Sequence, residues 1–108
     1  MLSKKNRTDK NNIAQIFKDG RYINSDNLTF KFILKKNSDT PAISFLTPKN
    51  VSKSAVKRNH LRRCGYKALE KHFSLSPFGL TGVFIFRKYQ DDILILENEI
   101  KNILHKVN

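Results

Sequence analysis

Residues 49–67 read Lys49-Asn50-Val51-Ser52-Lys53-Ser54-Ala55-Val56-Lys57-Arg58-Asn59-His60-Leu61-Arg62-Arg63-Cys64-Gly65-Tyr66-Lys67, a run with seven Lys or Arg side chains and no carboxylate. The spacing predicts a helix. Arg58 and Arg62 are four apart, as are Asn59 and Arg63, while Asn59, Arg62 and Tyr66 follow three-and-seven spacing, so all five share one side. Leu61, Cys64, Ala68 and Leu69 fall mainly on the other. An apolar back anchors such a helix to a core, and its front then presents forked donors, an amide and a ring outward.

Working outward from that helix, Thr47-Pro48 ends a strand over Ala42 to Leu46, and Lys49 to Lys53 form a basic connection with Ser52 or Ser54 as N-cap. Upstream, Leu28, Phe30, Phe32 and Leu34 alternate with Thr29, Lys31 and Ile33, a strand with two aromatics on its apolar face. Lys35 to Pro41 is rich in turn formers and predicts a hairpin joining these two strands. A short further strand is expected near Tyr22 to Asn24. Before it, Asp9 or Thr8 caps a helix running to Asp19, with Ile13, Ile16 and Phe17 on one side and Gly20 as its stop. Residues 1–8 read as a loose basic arm.

Downstream, Ser74 to Gly82 is a second connection, and Val83 to Phe86 is a short apolar strand that belongs inside the sheet. Asp91 or Asp92 caps a last helix, whose stripe of Ile93, Leu96, Ile100, Ile103, Leu104 and Val107 is expected to pack on the sheet. The order is α-β-β-(β)-α-β-α, with the short strand in brackets. This is an α+β chain forming a two-layer sandwich, a small mixed sheet covered by helices, in one domain spanning residues 1–108.

The chain of 108 residues carries 21 Lys+Arg against 9 Asp+Glu, a formal charge of +12, and its pI is about 10.1. Polyanions are the expected partners. No apolar run approaches membrane-spanning length and the first residues lack a signal-peptide core, so the expectation is a cytoplasmic protein with no membrane partner. Cys64 stands alone and reads as a small core side chain. His60, His72 and His105 lack paired ligand spacing, so no metal site is expected. Scattered acids give no carboxylate cluster for a metal-dependent nuclease, Asp91-Asp92 reading as a cap, and neither His60 nor His72 shows an orienting partner for acid–base work. No catalytic residue is assigned.

The run Ala55-Val56, Arg58-Asn59 and Arg62-Arg63 resembles the Arg-Asn-Arg signature region of the bacterial ribonuclease P protein subunit. Phe17-Lys18-Asp19-Gly20 is similar to the end of that family's opening helix, and the likeness covers about residues 4 to 107. The chain departs from the pattern at His60, where a third cation is common, at Gly65, where a stronger helix former is usual, and at Tyr66 and Lys67, where another Arg is common. Glycine there costs about 1 kcal/mol relative to Ala. The resemblance implies a sandwich like the second domain of one of the small-subunit ribosomal proteins. It also implies a protein that joins a large catalytic RNA to remove the 5′ leader of precursor tRNA by phosphodiester hydrolysis. The RNA holds the Mg2+ it requires, the protein binds no strong cofactor, and no obligate protein partner is expected.

By that resemblance the RNA subunit is met by Lys49, Lys53, Lys57, Arg58, Asn59, Arg62, Arg63 and Lys67. The leader lies in a cleft between the first helix and the sheet, against Phe17 and Lys18, with Tyr22 and with Phe30, Lys31 or Phe32 according to which strand face lines it. Each role has a plainer rival. The cations could be a solvated face, although seven without a counter-charge repel one another. Asn59 could clamp local backbone. Phe17 and Tyr22 could be core, and Phe30 and Phe32 share the face of Leu28 and Leu34, which suits packing under helices. A structural RNA-binding protein of ribosomal type is the main alternative, and a DNA-binding helix-turn-helix a third, disfavoured because strands and a long loop precede the basic helix.

Overall fold

The element order is α1 (Lys10–Asp19), β1 (Arg21–Asn24), β2 (Leu28–Leu34), β3 (Ala42–Leu46), α2 (Ala55–Glu70), a 3-10 turn at Phe73–Leu75, β4 (Leu80–Phe86) and α3 (Ile93–Val107). The computed structural model describes residues 10–34, 41–77 and 79–107. The basic arm, the cap expected at Thr8 or Asp9 and the turn from Lys35 to residue 40 lie outside the described residues.

The strands form a sheet ordered β1-β2-β4-β3, antiparallel at β1–β2 and β2–β4 and parallel at β3–β4. The hairpin expected between β2 and β3 is therefore not formed: β4 lies between them. The reason is burial. Every residue of β4 but Ile85 is buried, and a strand apolar on both faces belongs in the centre of a sheet. A turn reverses the chain without deciding which strand becomes its neighbour. β4 also starts at Leu80, ahead of the expected Val83, because Leu80, Thr81 and Gly82 pair with Leu34, Ile33 and Phe32. Gly82 looks like loop in sequence, yet here it makes room for a ring: a Cβ on it would fall 2.4 Å from Phe30 Cζ.

The register sorts side chains onto two faces. Leu28, Phe30 and Phe32 share one with Phe84 and Phe86 of β4 and with Ile43 and Phe45 of β3. Their rings stack, Phe30 on Phe84 at 4.3 Å and Phe45 on Phe84 at 5.1 Å between centroids. α2 and α3 cover this face. The α3 stripe of Leu96, Ile100, Ile103 and Leu104 joins the same core, although α3 runs chiefly along α2 and less on the sheet itself. Ile16 of α1 and Val83 are fully buried outside that cluster, and α1 packs on β2 and β4. Val83 alternates with Phe84, so α1 lies on the opposite face.

Local chemistry fixes the ends. Ser54 caps α2 by accepting from the Lys57 N–H at 3.3 Å, and Asp92 caps α3 by accepting from the N–H groups of Leu94 at 2.9 Å and Ile95 at 3.3 Å. α1 stops where the Gly20 N–H meets the Ile16 carbonyl at 2.8 Å. The β1–β2 turn is held by Glu99 of α3, whose carboxylate accepts from the Ser25 hydroxyl, the Asn27 N–H at 2.8 Å and Asn27 Nδ2 at 2.7 Å.

Candidate nucleic-acid interface

α2 buries Leu61, Cys64, Gly65, Ala68 and Leu69, the three-and-four spacing of a core stripe. Lys57, Asn59, Arg63 and Lys67 are exposed and Arg58 and Arg62 half-buried, so the front of the helix is cationic along its length. Tyr66 does not join that front. Its ring is buried edge-on to Phe45 at 5.0 Å, and its hydroxyl accepts the Phe45 N–H at 3.3 Å. Tyr66 stands at the border between the faces, and the edge strand β3 offers an N–H that a buried phenol can take.

The loop before α2 is folded onto it. Arg58 Nη1 donates to the Ser52 carbonyl at 2.9 Å, and the Ser52 hydroxyl accepts the Ser54 N–H at 3.3 Å. This pins the connection carrying the exposed Lys49 and Lys53 to the start of the helix. Arg62 Nη2 donates to Asn59 Oδ1, so Asn59 orients a neighbouring guanidinium. The first turn of α2 has no acid, although the positive end of a helix dipole favours one. Lys53, Lys57 and Arg58 stand there instead, a concentration of like charge that phosphate oxygens relieve.

On the other face of the sheet, the register places Tyr22, Lys31, Val83 and Ser44 in one row. Phe17 of α1 is 45% exposed, and Lys31 Nζ lies 4.8 Å from its ring centroid. Tyr22, 64% exposed, flanks Lys31 on β1. Phe17, Lys31 and Tyr22 thus place two exposed aromatic rings beside a cation on the α1 side of the sheet. Lys18 is exposed but stands about 200° round the helix from the buried Ile16, so it faces away from the sheet. Phe30 and Phe32 are the correction: they lie on the opposite face, 0% and 4% exposed, with the Arg21 guanidinium 5.2 Å from the Phe32 centroid. Neither ring can meet a ligand.

Two relationships were not legible in the sequence. His60 does have a partner, Asp91, with Nε2 3.3 Å from Oδ2, and Cys64 Sγ lies 3.7 Å from the same nitrogen. Both contacts fall on one ring nitrogen, which is not the geometry of a relay. Burial pushes the Cys64 thiol up, the Asp91 charge adds to this and Lys67 opposes it, so the sulfur stays a protonated core atom. Tyr89 was also missed, although its setting, Arg87-Lys88-Tyr89, mixes cations with an aromatic. Among the described residues no three His, Cys, Asp or Glu are grouped to hold a metal ion, and no helix is long and apolar enough to cross a membrane.

Fold and surface together define a small, strongly basic α+β protein of the nucleic-acid-binding class. The family model for ribonuclease P matches residues 2–108, and the chain belongs to that family. Its fold is similar to the RNase P protein of Thermotoga maritima, with 20% identity and a TM-score of 0.82 over 94% of this chain and 97% of that one. It is similar also to that of Staphylococcus aureus, with 17% identity and a TM-score of 0.77 over 94% and 93%. No curated protein matches the chain in sequence. Membership makes the chain a protein subunit of ribonuclease P, partner to the RNA subunit in processing tRNA 5′ ends. The ribosomal and helix-turn-helix readings are set aside.

Proposed function

We propose that this subunit grips the catalytic RNA with α2 and the loop before it, receives the single-stranded 5′ leader of precursor tRNA between α1 and the sheet, and leaves hydrolysis to the RNA. The RNA holds the magnesium ions, the protein needs no further protein partner, and the complex works in the cytoplasm. The RNA-subunit contacts are Lys49, Lys53, Lys57, Arg58, Asn59, Arg62, Arg63 and Lys67, with Asn59 acting through Arg62. The leader contacts are Phe17, Lys31 and Tyr22, with Lys18 adding charge at the rim.

The observation that carries this reading is that the two surfaces lie on opposite faces of one sheet. α2 packs over the Phe45 and Phe84 face, whereas Phe17 and Lys31 meet over the Val83 face. One rigid chain can therefore hold ribozyme and substrate at once, which lowers the entropic cost of bringing them together and screens their phosphate repulsion. Aromatic stacking does not depend on base identity, which suits leaders of varied sequence.

Reconstitution tests it. Added to a bacterial ribonuclease P RNA at low magnesium, the protein should restore accurate 5′ maturation of precursor tRNA. Cleavage by the protein without RNA, or no effect on the ribozyme, would overturn the proposal.

A further inference from the structure

The connection between β4 and α3 holds an aromatic side chain for which the two surfaces above have no use. Tyr89 is 44% exposed and lines a groove of about 500 Å3 together with Val56, Lys57, Asn59, His60 and Arg63 of α2. That volume lies in the range of about 300–1,000 Å3 usual for small-ligand sites.

The connection is anchored on both sides of Tyr89. Arg87 Nη1 donates to the Ser25 carbonyl at 2.6 Å and its backbone N–H to the Asn27 carbonyl at 2.8 Å. Beyond Tyr89, Gln90 Oε1 accepts the Asp92 N–H at 2.9 Å, Asp92 caps α3, and Asp91 reaches His60 at 3.3 Å. The chain on both sides of Tyr89 is therefore anchored beside α2 before anything binds, and little backbone ordering remains for a ligand to impose.

The lining is specific in its chemistry. Two cations, an amide, an imidazole, a phenol and one aliphatic side chain surround the space, and no carboxylate does. Asn59 Oδ1 is taken by Arg62, which turns the amide nitrogen of Asn59 into the available donor. A phosphate finds Lys57 and Arg63, and a planar base finds the face of Tyr89. A paired duplex offers no free base face to a side chain here, whereas an unpaired nucleotide does.

Resting on the assignment of α2 to the RNA subunit, we propose that this groove takes one unpaired nucleotide of that RNA, its base stacked on Tyr89 and its phosphates on Lys57 and Arg63. The salt-dependent grip of α2 is thereby given a register, since a single flipped base must meet a single ring.

The test is equilibrium binding of ribonuclease P RNA to the full chain across a series of salt concentrations. Tyr89→Ala should weaken binding by about tenfold, the loss expected for one stacked base, without changing the salt slope, because a neutral ring releases no counterion. Tyr89→Phe should bind like the parent. Tyr89→Leu, which keeps apolar bulk without a π face, should fail like Tyr89→Ala and serves in its place if that variant melts early. With p-benzoylphenylalanine in place of Tyr89, photocrosslinks should map to one unpaired nucleotide. Parental affinity of Tyr89→Ala and Tyr89→Leu, or crosslinks only to paired regions or to protein, would overturn the pocket. If Arg62→Ala with Arg63→Ala also binds like the parent, the assignment of α2 falls as well; if that variant binds poorly, only the pocket falls.

Discussion

The backbone of Gly65 in α2 rests against the ring of Phe45 in β3: a Cβ on Gly65 would fall 2.5 Å from Phe45 Cδ2 and 2.6 Å from Cε2. Phe45 cannot retreat, because Tyr66, Phe84 and Phe86 surround it with ring centroids at 5.0, 5.1 and 6.0 Å. The glycine that weakens the helix by about 1 kcal/mol is thus what lets the helix approach the sheet. Gly65→Ala should lower stability by about 1–3 kcal/mol, since overpacking outweighs the gain in helix propensity. Urea unfolding measures this, and an unchanged or higher midpoint would show that the ring can move.

Much of this arrangement is legible in sequence because it is local. The alternation of β2, the apolar run of β4 and the α3 stripe each follow from spacing within one element, and residue type narrows the caps to Ser52 or Ser54 and to Asp91 or Asp92, of which Ser54 and Asp92 serve. What is not legible depends on partners far along the chain. The place of β4 between β2 and β3 is a competition among strands, and the inward turn of Tyr66 answers an N–H on Phe45. The His60–Asp91 contact joins α2 to the connection between β4 and α3, with all of β4 between them in the chain. The exposed cations of α2 could be marked from residue type and spacing alone, but the grouping of Phe17 with Lys31 could not. Choosing Lys31 over Phe30 and Phe32 requires knowing which face α1 covers, and only the strand register supplies that.

Phe17 is the sharpest probe of the proposed leader site. Its ring is half exposed and carries the Lys31 ammonium 4.8 Å from its centroid, so its loss removes a stacking face and leaves the core, where Ile16 is the buried residue, intact. Phe17→Ala should weaken binding of leader-bearing precursor tRNA to the holoenzyme by about five- to tenfold. Binding of mature tRNA and of the RNA subunit should stay unchanged. Equal losses with and without a leader would place Phe17 outside the leader site.

The cations of α2 should be separable by their salt dependence. Each phosphate contact contributes about 0.7–0.9 to the slope of log affinity against log salt. Arg63 is exposed and Arg62 is half-buried and oriented by Asn59, so replacing both removes two forked donors while the buried side of the helix is untouched. Arg62→Ala with Arg63→Ala should lower affinity for the RNA subunit at least tenfold at moderate salt and reduce the slope by roughly 1.5. Filter binding at four salt concentrations reads both. A loss of affinity at constant slope would mean that the pair stabilises the helix without meeting phosphates.

Cys64 links the back of the same helix to pH. Burial raises its thiol above the ordinary value and the Asp91 charge raises it further, against a smaller opposing effect of Lys67. At neutral pH the sulfur is therefore a thiol, and native protein at pH 8 should be alkylated by iodoacetamide at least tenfold more slowly than protein in urea. The sign of the stability effect follows from the thiolate being disfavoured in the fold. Stability from this group is fully present below the unfolded thiol value of about 8.5, and is lost as pH rises through the folded value. Urea unfolding at pH 7.5 and 9.5 should show a smaller alkaline loss for Cys64→Ala than for the parent, the lysines and tyrosines being common to both. Native labelling as fast as in urea, or identical alkaline losses in the two proteins, would show that the fold does not hold the thiol in its neutral form.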